Sequence, residues 1–303
     1  YESDYSQEQI ANSLDLSRPY VSKLLNAAKN EGIVQIRVID SLNLETSMEK
    51  EFRKTFGLDK VIIVPSNVES DPLRYVGEAA ARFLNSIIEN GDIIGGTWGD
   101  TMFQLSRVLV QRYDLENLMF VQLCGGISNI NSPVHASEIA YNFQQRLGCT
   151  SYLLQLPAIV GSKELNQMLQ EDDNIKKVMD LGRASRIALF TVGAFGAEGK
   201  SSALVRANYL NEEQTAMLAK RGAVGDICTH VIDIDGNICD PELDDRCVAI
   251  TLDAIKEKEY RICVAQGVSK EAAILGALKT GIVNVFITNE KTAIGVLNRY
   301  KEN

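Results

Sequence analysis

The sequence predicts an α/β protein in which an all-α helix-turn-helix precedes a doubly wound, mainly parallel sheet. Two short helical patterns lie close together, over residues 6–14 and 17–30. From residue 44 onward, short apolar segments typical of strands alternate with amphipathic helices, which predicts a parallel sheet covered on both faces. The 303 residues are enough for a small module and a large domain.

The N-terminal module has the local signals of two helices joined by a tight turn. Ser6, followed three residues later by a glutamine, forms a capping-box pattern that starts the first helix. Asp15 stands in the turn, where a residue that tolerates positive φ is needed. Ser17 is placed to cap the second helix. The apolar residues expected to be buried between the two helices are Ile10, Leu14, Leu16, Val21 and Leu24.

The change of pattern along the chain predicts three segments. We expect a helix-turn-helix at 1–40, a linker helix at 41–57 and the sheet domain at 58–303. The predicted strands are 33–39, 61–64, 92–95, 119–123, 152–156, 187–192, 231–233, 261–265 and 283–288. The predicted helices of the sheet domain begin near residues 44, 73, 100, 135, 163, 212, 270 and 290.

Composition excludes several classes of protein. The net charge of −9 argues against binding nucleic acid over the whole surface, so any such contact is expected to be local. No apolar run approaches the ~18 residues of a membrane span and no secretion leader is visible, which favours a cytoplasmic protein without a membrane partner. The six cysteines include no C-x-x-C pair, so we expect reduced thiols.

The charge pattern of the second helix favours a contact with DNA. Residues 17–30 carry Arg18, Lys23 and Lys29 and no acid. A basic strip on one helix of an acidic protein is typical of a helix that enters a DNA groove. The residues predicted to contact phosphates and base edges are Ser17, Arg18, Tyr20, Ser22, Lys23 and Asn26. The alternative is an ordinary helical hairpin with a solvated basic face.

Glycine-rich turns follow several predicted strands, at the edge where open parallel sheets bind ligands. The turns are Gly95-Gly96-Thr97-Trp98-Gly99-Asp100-Thr101, Cys124-Gly125-Gly126-Ile127-Ser128 and Gly267-Val268-Ser269-Lys270. Backbone N–H groups and Lys270 suit a phosphate there. The glycines do not fit G-x-G-x-x-G and Cys124 stands where a ribose-binding acid would, so a phosphorylated metabolite is favoured over NAD. The alternative for each turn is a connection whose glycines serve packing alone.

Two residues outside these turns are further candidates. Arg206 is a candidate fork for phosphate or carboxylate, with a surface ion pair as the alternative. Asp226 is a candidate acceptor from sugar hydroxyls, with a helix or turn cap as the alternative. His135 and His230 lack ligand spacing to cysteines or carboxylates, so we predict no metal site, and no cofactor.

Several motifs together resemble one known family. They are Ser3-Asp4-Tyr5-Ser6-Gln7-Glu8-Gln9-Ile10-Ala11 and Leu16-Ser17-Arg18-Pro19, Thr97-Trp98-Gly99 with Thr101-Met102, Val121-Gln122-Leu123 with Gly125-Gly126-Ile127-Ser128, Ala223-Val224-Gly225-Asp226-Ile227, and the segment from Asn284 to Leu297. In them the chain resembles the SorC/DeoR-type family of bacterial sugar-responsive transcriptional regulators, in particular its deoxyribonucleoside regulator branch. The resemblance covers essentially the whole chain.

The resemblance implies a fold and a function. It implies a DNA-binding domain within 1–40, lacking its first helix in this chain, and an effector domain similar in fold to ribose-5-phosphate isomerase and glucosamine-6-phosphate deaminase. It further implies that a phosphorylated sugar controls a homo-oligomer, a dimer or tetramer, on operator DNA. The implied effector-binding residues are Gly96, Thr97, Gly99, Asp100, Thr101, Cys124, Gly125, Gly126, Arg206, Asp226 and Lys270.

One departure from the family matters for the chemistry. Cys124 stands where the deoxyribonucleoside regulator branch is expected to carry a lysine that forms a Schiff base with the sugar aldehyde. A thiol cannot form that imine, so we expect a noncovalently held sugar phosphate.

The sequence therefore predicts a regulator of carbohydrate or nucleoside catabolism, a repressor or an activator, and it predicts no catalytic residues. One alternative is a sugar-phosphate isomerase or deaminase with Asp226 or Asp100 as general base. Another is a metabolite-binding protein whose N-terminal hairpin serves dimerisation alone.

Overall fold

The chain divides into two compact units, Tyr1–Glu45 and Thr46–Asn303. The structure is a computed structural model, and it describes residues 6–30, 45–65, 71–112, 114–126, 135–195 and 202–302. The predicted strand 33–39 lies outside these residues.

The smaller unit contains the two predicted helices, α1 (Gln7–Leu14) and α2 (Arg18–Asn30). The capping box forms as expected: the Ser6 N–H donates to the Gln9 side chain at 2.8 Å, and Ser6 Oγ accepts from the Gln9 N–H. Asp15 ends α1 with φ of 54°, in the left-handed region that its short polar side chain tolerates. Ser17 Oγ accepts from the Tyr20 N–H and so caps α2.

The apolar set predicted between these helices is only partly buried. Val21 is 3% exposed, and Ile10 and Leu16 are half-buried. Leu14 and Leu24 are exposed, at 62% and 46%, which corrects the expectation of burial. Helical periodicity identifies the apolar face of a helix, but two short helices have too little facing surface to cover all of it.

In the part of the larger unit that the structure describes, ten strands form two sheets. The strands are β1 (Lys60–Val64), β2 (Ile93–Gly96), β3 (Met119–Gln122), β4 (Thr150–Tyr152), β5 (Ile187–Phe190), β6 (Val192–Ala194), β7 (Ala223–Ile227), β8 (His230–Asp233), β9 (Tyr260–Val264) and β10 (Val285–Asn289). Seven of them form a wholly parallel sheet in the order β1-β10-β9-β5-β2-β3-β4. The predicted parallel α/β sheet is confirmed.

Helices cover this sheet, as its apolar strands require. They are α3 (Ser47–Phe56), α4 (Pro72–Ile87), α5 (Asp100–Arg107), α6 (Ala136–Leu147), α7 (Lys163–Glu171), α8 (Asp173–Ala184), α9 (Ala203–Arg206), α10 (Glu212–Lys220), α11 (Pro241–Asp244), α12 (Leu252–Lys256), α13 (Glu271–Lys279) and α14 (Glu290–Glu302). A 3-10 turn, Val268–Lys270, precedes α13.

Helix α3 packs as part of the larger unit, although it falls in the segment expected to be a linker. Phe52 is fully buried, and its ring lies 5.6 Å from the ring of Phe286 in β10. Lys301 of α14 forms an ion pair of 2.9 Å with Glu51. An apolar side chain that packs in the core ties this helix to the sheet.

The second sheet, β6-β7-β8, is antiparallel and was not predicted as such. Segment 231–233 was expected as a strand between helices, whereas β8 forms a hairpin with β7. The connection is the two-residue turn Cys228-Thr229, which has neither the glycine nor the asparagine that usually marks such turns.

The parallel sheet has a switch point between β2 and β5. From β2 the chain winds outward through β3 to β4, and from β5 the strand order continues in the other direction. Ligands bind open sheets of this kind outside the carboxyl ends of the strands at the switch point. The fold therefore places a binding crevice beyond Gly96 and Phe190, the last residues of β2 and β5.

At the opposite ends of the strands, Arg186 and Asp92 form an ion pair. The guanidinium donates two hydrogen bonds to the carboxylate, at 2.7 and 2.6 Å, and a third to the carbonyl oxygen of Ile87. Asp92 is buried, and its hydrogen bonds with Arg186 raise the pKa of the guanidinium. This bidentate pair joins the amino ends of β2 and β5, on the far side from the crevice.

Candidate functional site

A cleft of about 250 Å³ lies at the switch point. Its volume is slightly below the range of about 300–1,000 Å³ typical of sites for drug-sized ligands, so it suits a small metabolite. The lining residues are Leu73, Thr97, Trp98, Gly99, Asp100, Thr101, Cys124, Thr191, Val192, Gly193, Ala203, Arg206, Asp226, Cys228, Thr229, Gln266 and Lys270.

Eight of the eleven residues predicted to bind the effector line this cleft. They are Thr97, Gly99, Asp100, Thr101, Cys124, Arg206, Asp226 and Lys270. They come from five different parts of the chain, which the ends of neighbouring strands bring together. Their role in binding stays a prediction.

Three predicted glycines lie behind the cleft surface. A side chain at Gly96 would overlap the ring of Phe120, and one at Gly126 would overlap the indole of Trp98. The Gly125 N–H donates to the carbonyl oxygen of Val248 at 2.7 Å, so this amide is occupied by the protein itself. In this structure these glycines permit close packing, which was the alternative considered for glycine turns.

Lys270 is the half-buried cation of the cleft. It ends the 3-10 turn after β9, and its Nζ donates a hydrogen bond of 2.7 Å to the carbonyl oxygen of Val192. Burial lowers the pKa of the ammonium, while the carboxylates of Asp226 and Asp100 act in the opposite direction. A bound anion would likewise stabilise the charged form of Lys270 against this effect of burial.

Asp226 is the half-buried acid of the cleft. It lies on β7 opposite Gly193 of β6, where any larger residue would overlap its carboxylate. Ser202 Oγ donates a hydrogen bond of 2.8 Å to Asp226 Oδ1. Burial raises the pKa of Asp226 to about 6, although Ser202 and Lys270 act to lower it. This carboxyl can therefore accept hydrogen bonds from ligand hydroxyls at neutral pH.

Arg206 and Asp100 form a more exposed pair in the cleft lining. Arg206 Nη2 lies 2.9 Å from Asp100 Oδ2, and the two side chains are 43% and 50% exposed. His135 Nε2 lies 3.8 Å from the other oxygen of the same carboxylate, and its ring stacks on Phe103. Arg206 is thus a cation that an anionic ligand can reach.

The amino end of α5 also belongs to the cleft. Gly99, with φ of 112°, precedes the helix and supplies no side-chain cap, and Gly99, Asp100 and Thr101 all line the cleft. The first N–H groups of a helix have no partner within it and attract anions. Two cations and one uncapped helix start therefore meet in the same small space.

In the smaller unit, most of the residues predicted to contact DNA are exposed on α2 or beside it. Those exposed are Ser17, Arg18, Tyr20, Lys23 and Asn26, whereas Ser22 is half-buried. Arg18 and Lys23 provide positive charge on this surface, and the sequence of α2 contains no acid. The face has the exposure and charge that a groove-binding helix needs.

Residues 40–298 match the protein family described as "Putative sugar-binding domain". The deoxyribonucleoside regulator of Bacillus subtilis is 36% identical over 304 residues, which cover 98% of this chain and 94% of that protein. The chain belongs to this family of sugar-binding transcriptional regulators. The predicted resemblance to the SorC/DeoR-type family is confirmed.

Further similarities agree with this membership. The sorbitol operon regulator of Klebsiella pneumoniae is 29% identical over 97% of this chain and 93% of that protein. The crystal structure of the full-length SorC protein from the same organism has a TM-score of 0.78, with 28% identity over 98% of this chain and 95% of that one. A transcriptional regulator from Streptococcus pneumoniae TIGR4, at 24% identity and a TM-score of 0.77 over 84% of this chain and 97% of that one, shares the fold.

These relatives are transcriptional regulators and not enzymes, which confirms the prediction of a regulator over a sugar-phosphate isomerase or deaminase. Within the parts of the chain that the structure describes, no cluster of His, Cys, Asp or Glu could hold a metal ion. Among those same residues, no helix is long and apolar enough to cross a membrane.

The sequence interpretation missed several cleft residues of this regulator. Thr191, Val192 and Gly193 run from β5 into β6, and Thr229 and Cys228 form the β7–β8 turn. These residues enter the cleft only because the small antiparallel sheet folds beside the parallel one. Gln266, two residues after β9, stood one residue before a predicted turn and was detectable from its position at a strand end.

Two thiols line the cleft of the regulator. Cys124 and Cys228 are both buried, and burial raises the pKa of each well above its usual value. The nucleophilic form of cysteine is the thiolate, which these surroundings disfavour. The thiols therefore act as small apolar groups in the cleft, in keeping with a noncovalent effector.

Proposed function

We propose that this protein is a DNA-binding regulator of carbohydrate or nucleoside catabolism and that a phosphorylated sugar in its cleft controls operator binding. The observation that carries this proposal is the convergence of Lys270, Arg206 and the uncapped start of α5 in one cleft of a sugar-binding domain. Each of these groups favours an anion, and membership of a sugar-binding family indicates that the ligand is a sugar.

The phosphate end of the effector is assigned to these cationic groups. Lys270 Nζ has donor capacity beyond its bond to Val192, because an ammonium has three N–H groups. A phosphate can replace Asp100 as the partner of Arg206, or bind the guanidinium together with Asp100. The loss in stability is small, because exposed ion pairs contribute about 0–1 kcal/mol to folding. The sugar end is assigned to Asp226, whose carboxyl accepts hydrogen bonds from hydroxyls.

The DNA contact is assigned to the exposed face of α2. Arg18 and Lys23 would neutralise phosphates, and Ser22 and Asn26 would reach base edges. A helix-turn-helix presents few contacts, so regulators of this kind gain affinity by pairing two modules on two half-sites. We therefore include a homo-oligomer, a dimer or a tetramer, in the proposal, and DNA binding of this kind takes place in the bacterial cytoplasm.

Control by the effector requires that it bind one arrangement of the oligomer more tightly than another, because equal affinity shifts no equilibrium. Sedimentation velocity of the free and ligand-bound protein tests this part. A monomer under both conditions, at the concentrations used for DNA binding, would contradict it.

The effector proposal is tested by thermal unfolding with deoxyribose 5-phosphate, ribose 5-phosphate and fructose 1,6-bisphosphate, each beside its unphosphorylated sugar. A ligand at 100 times its Kd stabilises the folded state by about 2.7 kcal/mol, which is a measurable rise in Tm. We expect a rise with at least one sugar phosphate and a much smaller one with the free sugar.

Lys270→Met is expected to abolish most of that rise, and Lys279→Met is the matched control. Lys279 is the last residue of α13, the helix that Lys270 precedes, and it pairs with Asp235 outside the cleft. If no sugar phosphate raises the Tm of the wild type, the effector proposal is wrong. If Lys279→Met has the same effect as Lys270→Met, the phosphate does not bind in this cleft.

The DNA proposal is tested with a duplex that the protein itself selects from a random-sequence pool. Affinity should fall steeply with salt, because phosphate contacts release counterions. Lys23→Ala should weaken binding to all sequences and reduce the salt slope by about one. A protein that enriches no sequence would support a helical hairpin with another role.

A further inference from the structure

Three threonine hydroxyls in the cleft have no hydrogen-bond partner among the residues that the structure describes. Of the five buried side-chain polar atoms that lack a partner among the described residues, three are Oγ1 of Thr97, Thr191 and Thr229. All three residues line the cleft, and Thr97 and Thr229 are only 6% and 2% exposed. A buried hydroxyl without a partner destabilises the fold, so three at one site call for an explanation.

Thr229 is held in an unusual backbone conformation. Cys228 and Thr229 have φ of 49° and 77° and join Ile227 to His230, the pattern of a tight hairpin turn that normally contains Asn and Gly. Positive φ is strained for a β-branched residue. A residue of this kind persists only where its surroundings force it, and such residues cluster at ligand sites.

Hydrogen bonds around the turn hold it in this conformation. Cys247 Sγ donates to the carbonyl oxygen of Thr229 at 3.4 Å. The ring of His230 is fixed from both sides, with Nδ1 at 2.6 Å from Asp244 Oδ1 and Nε2 at 3.0 Å from the carbonyl oxygen of Ile250. The turn is thus anchored from outside the cleft, and Thr229 is one of the residues that line the cleft.

The chemistry of these hydroxyls indicates which part of a ligand they fit. A threonine hydroxyl both donates and accepts, as does a sugar hydroxyl, whereas a phosphate dianion only accepts. The cationic groups that suit phosphate, Lys270 and Arg206, are different residues of the same cleft. Because Lys270 and Arg206 are assigned to the phosphate, the threonines are assigned to the hydroxylated carbons of the ligand.

We propose that Thr229, with Thr97 and Thr191, hydrogen-bonds the hydroxyl groups of the effector and selects a fully hydroxylated sugar phosphate over its deoxy analogue. This inference rests on the proposed function and goes further, since it names a specificity-determining residue and the class of sugar. A deoxygenated carbon would leave one threonine hydroxyl buried and unpaired, and a site built for hydroxyls rejects such an analogue.

The test compares Thr229→Val with Thr229→Ser by isothermal titration calorimetry. The probes are ribose 5-phosphate, 2-deoxyribose 5-phosphate and inorganic phosphate. We expect Thr229→Val to lower the affinity for ribose 5-phosphate about tenfold, which is a typical loss for one hydrogen bond. The affinity for inorganic phosphate should stay unchanged. Thr229→Ser keeps the hydroxyl and should retain the wild-type affinity within about threefold.

Thermal unfolding of the free protein separates a ligand contact from a structural role. Thr229→Val removes an unpaired buried hydroxyl and keeps the shape, so its Tm without ligand should be equal to or above that of the wild type. Thr288→Val is the matched control, because Thr288 is also buried without a partner but lies on β10 and does not line the cleft. It should leave all ligand affinities unchanged.

The outcomes distinguish the two proposals. If none of the phosphorylated probes binds the wild type, the proposed effector site itself fails. If inorganic phosphate binds but ribose 5-phosphate binds no more tightly, or if Thr229→Val retains full affinity for ribose 5-phosphate, only the role of the threonines is overturned. Equal affinity for ribose 5-phosphate and its 2-deoxy analogue would overturn the selectivity.

Discussion

Ser202 donates a hydrogen bond of 2.8 Å to Asp226, and the two residues lie 24 positions apart in the sequence. The bond fixes one oxygen of a carboxyl group whose pKa is raised to about 6 by burial. The acid of the cleft therefore changes its charge close to physiological pH. The charged carboxylate destabilises the free protein, because burial disfavours it. In the ligand-bound protein the same carboxylate is proposed to accept hydrogen bonds from sugar hydroxyls.

Replacing Asp226 by Asn should stabilise the free protein at neutral pH. The folded state binds the Asp226 proton more tightly than the unfolded state, so the stability that this group contributes is greatest at acid pH and is lost as pH rises from about 4 through 6. We expect Asp226→Asn to be more stable than the wild type by about 1–3 kcal/mol at pH 7.5. Urea unfolding at pH 7.5 and 4.5 measures this.

The difference should shrink to less than half at pH 4.5, where the wild-type carboxyl is largely protonated. Asp180→Asn, at an exposed ion pair with Arg183, is the control and should change stability by less than about 0.5 kcal/mol at either pH. A stability difference for Asp226→Asn that is the same at both pH values would contradict the prediction.

Arg206→Ala should separate ligand affinity from stability. The ion pair of Arg206 with Asp100 is about half exposed and contributes at most about 1 kcal/mol to folding. A lost charged hydrogen bond to phosphate costs about 1.5–3 kcal/mol, so the affinity for sugar phosphates should fall about 10- to 100-fold. Calorimetry and thermal unfolding of the variant measure the two effects. Arg183→Ala is the comparison, because it removes a cation and breaks an exposed ion pair with Asp180 outside the cleft. An equal loss of affinity in both variants would exclude a direct contact of Arg206 with phosphate.

His230 should titrate above the ordinary pKa of histidine. Burial opposes its charge, but the hydrogen bond and charge of Asp244 outweigh burial and raise the pKa of the ring. Both neighbours of the ring, Asp244 and the Ile250 carbonyl, accept hydrogen bonds, so both ring nitrogens donate in the charged form. The chain contains two histidines, so NMR titration with His135→Gln identifies the His230 resonance.

The same pair makes stability depend on pH in a stated direction. A raised folded-state pKa contributes stability that is complete below pH 6.5, the unfolded value, and is lost as pH rises through the folded value. Asp244→Asn should remove this dependence and lower the His230 pKa. A His230 resonance that titrates below 6.5 in the wild type would refute the assignment.

Asp92→Asn should be the most destabilising of these changes. It removes the buried carboxylate partner of Arg186 and leaves Glu259, an exposed partner at 3.2 Å. Breaking a buried ion pair costs up to about 3–5 kcal/mol. Denaturant unfolding at neutral pH measures the loss. Asp245→Asn breaks the exposed pair with Lys163 and should cost less than about 1 kcal/mol. Similar losses in the two variants would mean that the Asp92 pair is solvated.

The sequence predicted the features that depend on local signals. The Ser6 capping box, the left-handed Asp15 and the parallel order of apolar strands all follow from short-range patterns. The small antiparallel sheet did not, because its Cys228-Thr229 turn lacks the glycine or asparagine that usually marks a hairpin. Gly126 shows the limit for the site: a glycine indicates that something approaches the backbone, but only the structure identifies it as Trp98.

The cleft residues divide in the same way. Lys270 and Thr97 could be predicted because they follow strands whose ends meet at one edge. Thr229 could not, since it reaches the cleft through the β7–β8 hairpin, and the pairing of β7 with β6 depends on residues about 30 positions apart. Long-range pairing leaves no short sequence pattern to detect.

A single residue, Thr191, separates the last residue of β5 from the first residue of β6. The large sheet and the small sheet are therefore continuous at this residue, with Asp226 and Thr229 in the small sheet and its turn, and Thr97 directly after a strand of the large sheet. Helix α13 also packs on all three strands of the small sheet, and Lys270 hydrogen-bonds Val192 of β6, so the two sheets are held together in several places. A ligand that contacts residues of both sheets would cross-link them, and its binding would then restrain their relative motion.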